Sequence, residues 1–217
     1  DLPHSADGYY LQFNSYEGTI YMLANAGNMI DLQQMKEEGI SEEEWKKTTM
    51  AMSNGKVVNF FTGSLVIDGQ NQPSQSLTLK RGVARFDLNV DVAGSAAIES
   101  LTLRNVAQSG YLFAQGEVAA SPADVERNDV TAHFDTALSA STPGVLYVYE
   151  QENAGIEVSI EAVIDGQHKV LTKTLEGNLK RNTIYTVTVR KNDIDIVVKV
   201  GIDDWEPGED TEIIPQL

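Results

Sequence analysis

The chain has 217 residues, of which 41% are hydrophobic and 22% charged, a composition typical of a folded globular protein. Its formal net charge of −16 repels phosphate backbones and anionic lipid headgroups, which argues against nucleic-acid and headgroup partners. The absence of cysteine excludes disulfides, thiolate catalysis and Cys-based metal sites. No apolar run approaches the roughly 18 residues that span a bilayer. Because the chain starts at Asp1 rather than Met, we expect any signal peptide or lipid-anchored Cys to lie upstream.

Strand patterns dominate the first half of the chain. The clearest is the run from Ala84 to Val92, in which apolar residues alternate with charged or amide residues. A period of two over this length predicts a strand with one buried face. Shorter β-branched or aromatic runs between turn residues predict further strands at 9–13, 18–25, 57–61, 65–68, 77–81, 98–106 and 110–113.

Residues 31–50 break this pattern and predict two short helices. Asp31 is placed to cap the first helix, and Gly39 to end it. Ser41 followed by Glu44 is a capping box for the second helix. We expect this helical segment to be a crossover between strands of the first domain.

Residues 114–129 are rich in Ala, Gly, Ser, Pro and charge, which predicts a domain boundary. The chain is therefore divided into domains 1–118 and 119–217. Asp165-Gly166 has the chemistry of a type I′ hairpin turn, because both central positions of that turn need positive φ. Strand-like runs at a spacing of about 8–12 residues favour an antiparallel β-sandwich in the second domain. These runs are 133–137, 145–149, 156–164, 169–175, 184–190 and 194–200.

Motifs for catalysis or cofactor binding do not occur in the sequence. There is no nucleophile elbow, phosphate loop or dinucleotide fingerprint. Three histidines, His4, His133 and His168, are scattered without the spacing of metal ligands. We predict no catalytic, cofactor-binding or metal-ligating residue.

Carboxylate pairs leave a hydrolase as one alternative. Glu157 with Glu161, and Asp193 with Asp195, have the same-face spacing of strand residues. A glycoside hydrolase needs two such carboxyls about 5–9 Å apart, but alternating acids are also typical of a solvated sheet face. Asp203-Asp204 offers oxygen atoms of the kind that bind calcium, although an acidic tail is the plainer interpretation.

Aromatic rings leave a second alternative, a cell-surface glycan- or matrix-binding module. Tyr147 and Tyr149 alternate with Val148, so one face of that strand is expected in the core. The rings that could form a sugar platform are Tyr9, Tyr10, Tyr16, Tyr21, Trp45, Tyr147, Tyr149 and Trp205.

Five segments carry a family resemblance through their order and spacing. They are Ile20-Tyr21-Met22-Leu23-Ala24-Asn25, Leu79-Lys80-Arg81-Gly82-Val83-Ala84-Arg85-Phe86, Tyr147-Val148-Tyr149-Glu150, Leu179-Lys180-Arg181-Asn182-Thr183-Ile184-Tyr185 and Ile202-Asp203-Asp204-Trp205. Together they resemble the Bacteroidetes fimbrillin superfamily, the lipoprotein-derived subunits of type V pili. The second segment is the most telling match. Beside the resemblance, Asn182 is a good turn residue because it tolerates the left-handed conformation.

The resemblance implies two tandem transthyretin-like antiparallel β-sandwich domains. It also implies export as a lipoprotein, proteolytic removal of an N-terminal segment, and assembly by strand exchange between subunits. An exposed sheet edge offers unpaired backbone groups that a neighbour's extended segment can fill. The candidate assembly strand in this chain is Thr211, Glu212, Ile213 and Ile214, whose other interpretation is an ordinary last strand or a frayed tail.

We therefore predict a mostly β, non-enzymatic subunit of a bacterial surface pilus, in a stalk, tip or anchor position and without a cofactor. Its expected partners are other pilin subunits and a host or bacterial surface receptor or glycan. Its expected location is the cell surface and outer membrane, with membrane contact only through an upstream lipid anchor.

Overall fold

The computed structural model describes residues 4–5, 8–9, 17–26, 30–68 and 77–200. These residues form fifteen strands and two short helices, so the mostly β prediction is confirmed. Neither helix is long and apolar enough to cross a bilayer. The elements in chain order are β1 (His4–Ser5), β2 (Gly8–Tyr9), β3 (Glu17–Ala24), α1 (Leu32–Glu38), α2 (Glu42–Lys46), β4 (Thr49–Ala51), β5 (Phe61–Asp68), β6 (Lys80–Arg81), β7 (Val83–Val90), β8 (Ala96–Ala107), β9 (Ser109–Tyr111), β10 (Arg127–Leu138), β11 (Thr142–Tyr149), β12 (Glu157–Ile164), β13 (Gln167–Thr174), β14 (Thr183–Val189) and β15 (Ile194–Val200).

Two four-stranded sheets form the largest part of the fold, here called the large sandwich. Their strand orders are β10-β8-β12-β13 and β11-β7-β14-β15. One hydrophobic core draws side chains from both sheets, such as Leu101 and Ile160 from the first and Phe86 and Val187 from the second. Ala84, Phe86 and Leu88 lie in this core as the alternation predicts, but the prediction of a single buried face is wrong, because Val83 and Arg85 on the opposite face are also buried.

The central pair β7 and β14 is parallel, while the other strand pairs of the large sandwich are antiparallel. Both strands are largely buried on both faces, as expected for strands covered by other layers. Phe86 lies opposite Tyr185 in the register, and the two rings stack with centroids 5.1 Å apart.

A smaller region, here called the N-terminal unit, consists of β3 to β6, β9, α1 and α2. Its sheets are β3-β5-β6 and the pair β4-β9. Its core contains Met50, Phe60, Leu112 and Phe113, and it is completed by Val83 and Tyr149 from the large sandwich. The N-terminal unit therefore packs on the side of the β7–β11 sheet that faces away from the large core.

The two helices form where the caps predict them, between β3 and β4. The Asp31 carboxylate accepts hydrogen bonds from the backbone N–H groups of Gln33 and Gln34, and Gly39 ends α1 with a left-handed φ of 67°. The capping box of α2 between Ser41 and Glu44 is also present.

The prediction of two separate strands at 57–61 and 65–68 is wrong. Residues 61–68 form one strand, and residues 57–60 have no regular structure. Gly63 lies inside β5, and a glycine is needed there because a side chain would overlap with the carbonyl oxygen of Thr78. Likewise only the last two residues of the run 77–81 form a strand.

Strand pairing extends across the boundary predicted at 118/119. From before it, β7 pairs with β11 and β14 from after it, and β8 pairs with β10 and β12. Residues 127–129, predicted as part of the linker, begin β10. A cut at 118/119 therefore falls inside two hydrogen-bonded sheets. The polar start of β10 lacks a strand signal because it lies at a sheet edge with most side chains exposed.

The predicted turns of the second half are confirmed. β12 and β13 pair through a two-residue turn in which Asp165 has φ 50° and Gly166 has φ 77°. Asn182 has φ 53°, and its N–H donates to the Val83 carbonyl at 2.9 Å. The run predicted at 194–200 is β15 with the same bounds.

Candidate functional site

The predicted assembly strand, Thr211, Glu212, Ile213 and Ile214, lies outside the described residues, as do Asp203-Asp204 and Trp205. We therefore look for a candidate site at the sheet edges and clefts of the described residues between 17 and 200.

One side of β5 is only partly paired. β3 pairs with β5 along its whole length, from Ala24 opposite Phe61 to Glu17 opposite Asp68. On the other side, β6 pairs with Phe61 and Thr62 alone. Among the described residues, no strand continues this ladder along Ser64 to Ile67, and the Val66 side chain is 67% exposed. This segment, here called the open edge, has the geometry that a further strand can extend.

A cleft of about 680 Å³ lies beside the open edge. It brings together β3, α2, β5, β6, the segment after β9, and the turn before β14. Its lining contains three cations and two aromatic rings. The lining residues are Tyr21, Lys46, Thr62, Gly63, Ser64, Thr78, Lys80, Phe113, Ala114, Gln115, Gly116 and Arg181.

Arg181 joins the N-terminal unit to the large sandwich at this cleft. Its Nε lies 2.7 Å from a carboxylate oxygen of Glu150, and both side chains are nearly buried, at 9% and 12% exposure. Its terminal nitrogens donate to the backbone carbonyls of Tyr111 at 2.9 Å and Leu112 at 3.1 Å. A planar guanidinium satisfies these three acceptors at once, which an ammonium group cannot do with the same geometry.

An aromatic cluster forms the neighbouring wall. Tyr21 from β3 meets Trp45 from α2 edge-on, with ring centroids 4.9 Å apart. Phe113 lies against both rings, at 5.4 Å from Tyr21 and 4.5 Å from Trp45. The indole N–H of Trp45 is buried without a hydrogen-bond partner among the described residues. Such pairs contribute beyond their buried area, so the cluster holds α2 against the sheet.

Ion pairing perturbs two groups at this wall. The Lys46 ammonium lies 2.7 Å from a Glu42 oxygen and 5.2 Å from the centre of the Tyr21 ring. Hydrogen bonds from Lys46 and from the Tyr21 hydroxyl lower the pKa of Glu42. The hydrogen bond to Glu42 raises the pKa of Lys46 well above its usual range. Lys46 therefore stays charged at any physiological pH.

Of the other predicted aromatic candidates, Tyr147 and Tyr149 belong to the smaller core, while Tyr10, Tyr16 and Trp205 lie outside the described residues. Tyr149 is buried, and its hydroxyl accepts from the Val58 N–H and donates to the Ala51 carbonyl. Burial raises the pKa of Tyr149. Tyr147 packs against the same core, while Val148 points into the large core, so both faces of β11 are covered. Of the predicted platform, Tyr21 and Trp45 lie at the cleft wall.

Three of the four predicted carboxylates, Glu157, Glu161 and Asp195, are engaged in cross-strand contacts. A Glu161 oxygen accepts from the Ser100 hydroxyl at 3.1 Å, and Glu157 lies 3.6 Å from Arg104. Asp195 accepts from Lys173 at 2.6 Å, which lowers the pKa of its carboxyl. Among the described residues, no group of three His, Asp or Glu side chains is arranged to hold a metal ion.

The residues that sequence reasoning missed are those of the cleft. Lys80 and Arg181 were part of the family-like segments, but their distance along the chain gave no sign that they meet. Only the pairing of β5 with β6 and the tie from Arg181 to residues 111 and 112 bring them to one cleft.

A partly paired sheet edge is a surface that the extended segment of another chain can extend. A match between the sequence and a family profile identifies the family of this chain. The profile of the fimbrillin-A associated anchor proteins Mfa1 and Mfa2 matches residues 9–211, so the chain belongs to that family. The fimbrillin resemblance is thereby confirmed, and a fimbrial family implies a location at the cell surface.

Solved structures share the fold. A candidate cell adhesion protein from Parabacteroides distasonis superposes with a TM-score of 0.58 at 16% identity, covering 85% of this chain and 75% of that chain. The tip fimbrial protein Mfa3 from Porphyromonas gingivalis, with a C-terminal truncation, gives 0.53 at 13% identity, with 83% and 78% covered. A candidate cell adhesion protein from Bacteroides eggerthii gives 0.53 at 12% identity, with 83% and 76% covered. At these identities the likeness concerns the fold alone. No curated protein matches the chain in sequence.

Proposed function

We propose that this chain is a structural, non-catalytic subunit of a bacterial fimbrium that assembles with other subunits by strand exchange. Family membership supports the fimbrial role. The observation that carries strand exchange is the open edge of β5, where no strand among the described residues pairs with Ser64 to Ile67 on the side facing away from β3. The occupant is the candidate assembly strand 211–214 of a neighbouring subunit.

Crosslinking tests this assignment directly, because the chain has no native cysteine. Val66→Cys in one copy and Ile213→Cys in another should form a disulfide when the precursor and trimmed proteins are mixed. The matched control pairs Ile213→Cys with Val170→Cys, since Val170 is 61% exposed and lies on β13, in a different sheet from the open edge. Equal crosslinking at both positions, or none at Val66, would show that the segment does not occupy the open edge.

We also propose a division of the chain that differs from the cut at 118/119. One part is the large sandwich, whose four strands in each of two sheets support the transthyretin-like assignment. The other is the N-terminal unit, which includes residues 109–113 through the pairing of β9 with β4. Because β9 returns to the N-terminal unit between β8 and β10, no single cut separates the two parts.

Attachment to the outer membrane through an upstream lipid anchor belongs to the same proposal. The description of the family as anchor proteins favours the anchor among the three pilus positions. Palmitate labelling of the full-length precursor, with and without its upstream cysteine, tests this step independently of strand exchange.

A second candidate function is binding of a surface receptor or glycan. The observation that favours it is the cleft beside the open edge, which combines hydroxyl groups, aromatic rings and cations. It is compatible with the fimbrial role, because a subunit exposed on a fibre can also bind a ligand.

A further inference from the structure

The charge of the cleft lining is opposite in sign to the net charge of the protein. The chain carries 32 acidic and 16 basic side chains, yet the lining of the cleft has three basic side chains and no carboxylate. Lys46 and Arg181 are each held by a glutamate outside the lining, Glu42 and Glu150. Lys80 is exposed, and no carboxylate among the described residues pairs with it. Within the described residues, the cleft therefore offers one cation without a paired carboxylate, and two further cations share its lining.

The remaining lining groups suit a sugar. Ser64 and Thr78 are exposed and present hydroxyl groups, whereas Thr62 is buried and its hydroxyl accepts from Arg181. Gln115 uses its amide N–H groups on the carbonyls of Lys46 and Phe113, which fixes its side chain. Hydroxyl partners beside aromatic rings are a common arrangement for orienting small polar ligands in a cleft. A volume of about 680 Å³ accommodates one or two sugar rings.

The global charge limits the length of the ligand. A long polyanion would extend from the cleft over a surface whose net charge is −16, where it is repelled. A single acidic group at the end of a saccharide avoids this repulsion, because only that group needs to reach Lys80. An acidic peptide would carry its charges along its whole length and would leave the hydroxyl groups of the cleft without matched partners.

We propose that this cleft binds the acidic end of a short saccharide, a hexuronic acid or a sulfated sugar, with Lys80 facing the anionic group. This inference names the ligand class for the second candidate function and rests on it. It does not depend on strand exchange, because the isolated full chain is expected to bind.

Titration calorimetry with the full chain tests the inference. The probes are an aldotetraouronic acid, which carries a single uronate at one end, for the carboxylate source, a disaccharide with a single sulfate for the sulfate source, neutral maltotetraose, and an Asp-Glu tetrapeptide. We expect binding of one or both acidic saccharides that weakens with salt. Lys80→Glu should weaken it by about tenfold or more, because it reverses the charge facing the ligand. Ser64→Glu is the second variant, since Ser64 is exposed on β5 and lines the same cleft.

The matched control is Lys56→Glu, which changes the net charge equally at an exposed position outside the lining. It should leave affinity unchanged, and circular dichroism of each variant should match the wild type. An equal loss for Lys56→Glu would overturn the site, because bulk charge would then explain binding. Equal binding of the acidic peptide would overturn the saccharide assignment. Binding of maltotetraose as tight as that of the acidic probes would overturn the acidic class while leaving a glycan-binding function. No binding of any probe would overturn both.

Discussion

Among the described residues, the large sandwich buries twenty-two core side chains between its two sheets, whereas the core of the N-terminal unit has six. The larger core is mainly aliphatic and is supplied by the sandwich strands and the loops that join them. Of the six in the smaller core, Val83 and Tyr149 belong to sandwich strands, and aromatic rings carry much of the remainder. Within the part of the chain that the structure describes, the N-terminal unit therefore completes its core against the large sandwich. Since a small core stabilises a domain weakly, we expect the two regions to differ in stability.

The largest effect on stability is expected from a cavity in the large core. Phe86→Ala should lower the free energy of unfolding by about 3–5 kcal/mol, because Phe86 is fully buried and stacks on Tyr185. Urea unfolding followed by circular dichroism measures this loss. The N-terminal unit should unfold together with the large sandwich, because it depends on that surface. Val170→Ala on the exposed edge of β13 is the control and should change little.

The second test removes the tie between the regions. Arg181→Met should destabilise the N-terminal unit by about 3 kcal/mol, because it leaves the Glu150 carboxylate nearly buried and unpaired. Hydrogen exchange should accelerate at β4 and β9 and stay slow in β12. Adding Glu150→Gln should restore part of the loss. Uniform acceleration throughout the large sandwich would contradict a local role for Arg181.

The third test places a side chain at the junction. A Cβ on Gly82 would overlap with the ring of Phe60, which is fully buried in the smaller core. Gly82→Ala should therefore cost about 1–3 kcal/mol through overpacking. Phe60→Leu makes room, so the double variant should lose less than the sum of the two single variants in denaturant unfolding. Additive losses would mean that the two positions do not share this contact.

The smallest effect concerns exposed ion pairs, which occur in both regions. The hydrogen bond from Lys173 lowers the pKa of Asp195 below its ordinary value of 3.8. A lowered folded-state pKa stabilises the protein above that ordinary value, and the contribution is lost as pH falls through the folded pKa. Asp195→Asn should therefore flatten slightly the acid side of a stability profile measured between about pH 5 and pH 2. A large effect would contradict the weak contribution expected of an exposed pair.

Local signals in the sequence predicted what local physics decides. The alternation from Ala84, the caps at Asp31 and Ser41, and the turn Asp165-Gly166 all recur in the structure, because each depends on residues close in the chain. The division at 118/119 has no such basis. A loop composition marks a break in regular structure, but it carries no information about which strands pair across it.

The candidate site shows the same limit. A glycine such as Gly63 is typical of a turn. In the structure it lies inside a strand and leaves room for the backbone of Thr78, which depends on a contact between separate segments. Arg81 and Arg85 are four apart, but they lie in different sheets because the chain turns at Gly82. Arg85 instead pairs with Asp87 on its own strand, at 2.6 Å.

The mostly β class, the positions of many strands, the helix caps and the family could be predicted from the residues alone. These follow from periodicity, turn chemistry and ordered motifs, all of which act over short distances along the chain. Three features could be seen only in the folded chain. β7 and β14 run parallel, β9 returns to the N-terminal unit, and Lys80 and Arg181 line one cleft. These depend on which buried faces and backbone edges meet, and residues far apart in the chain carry no local signal of that choice.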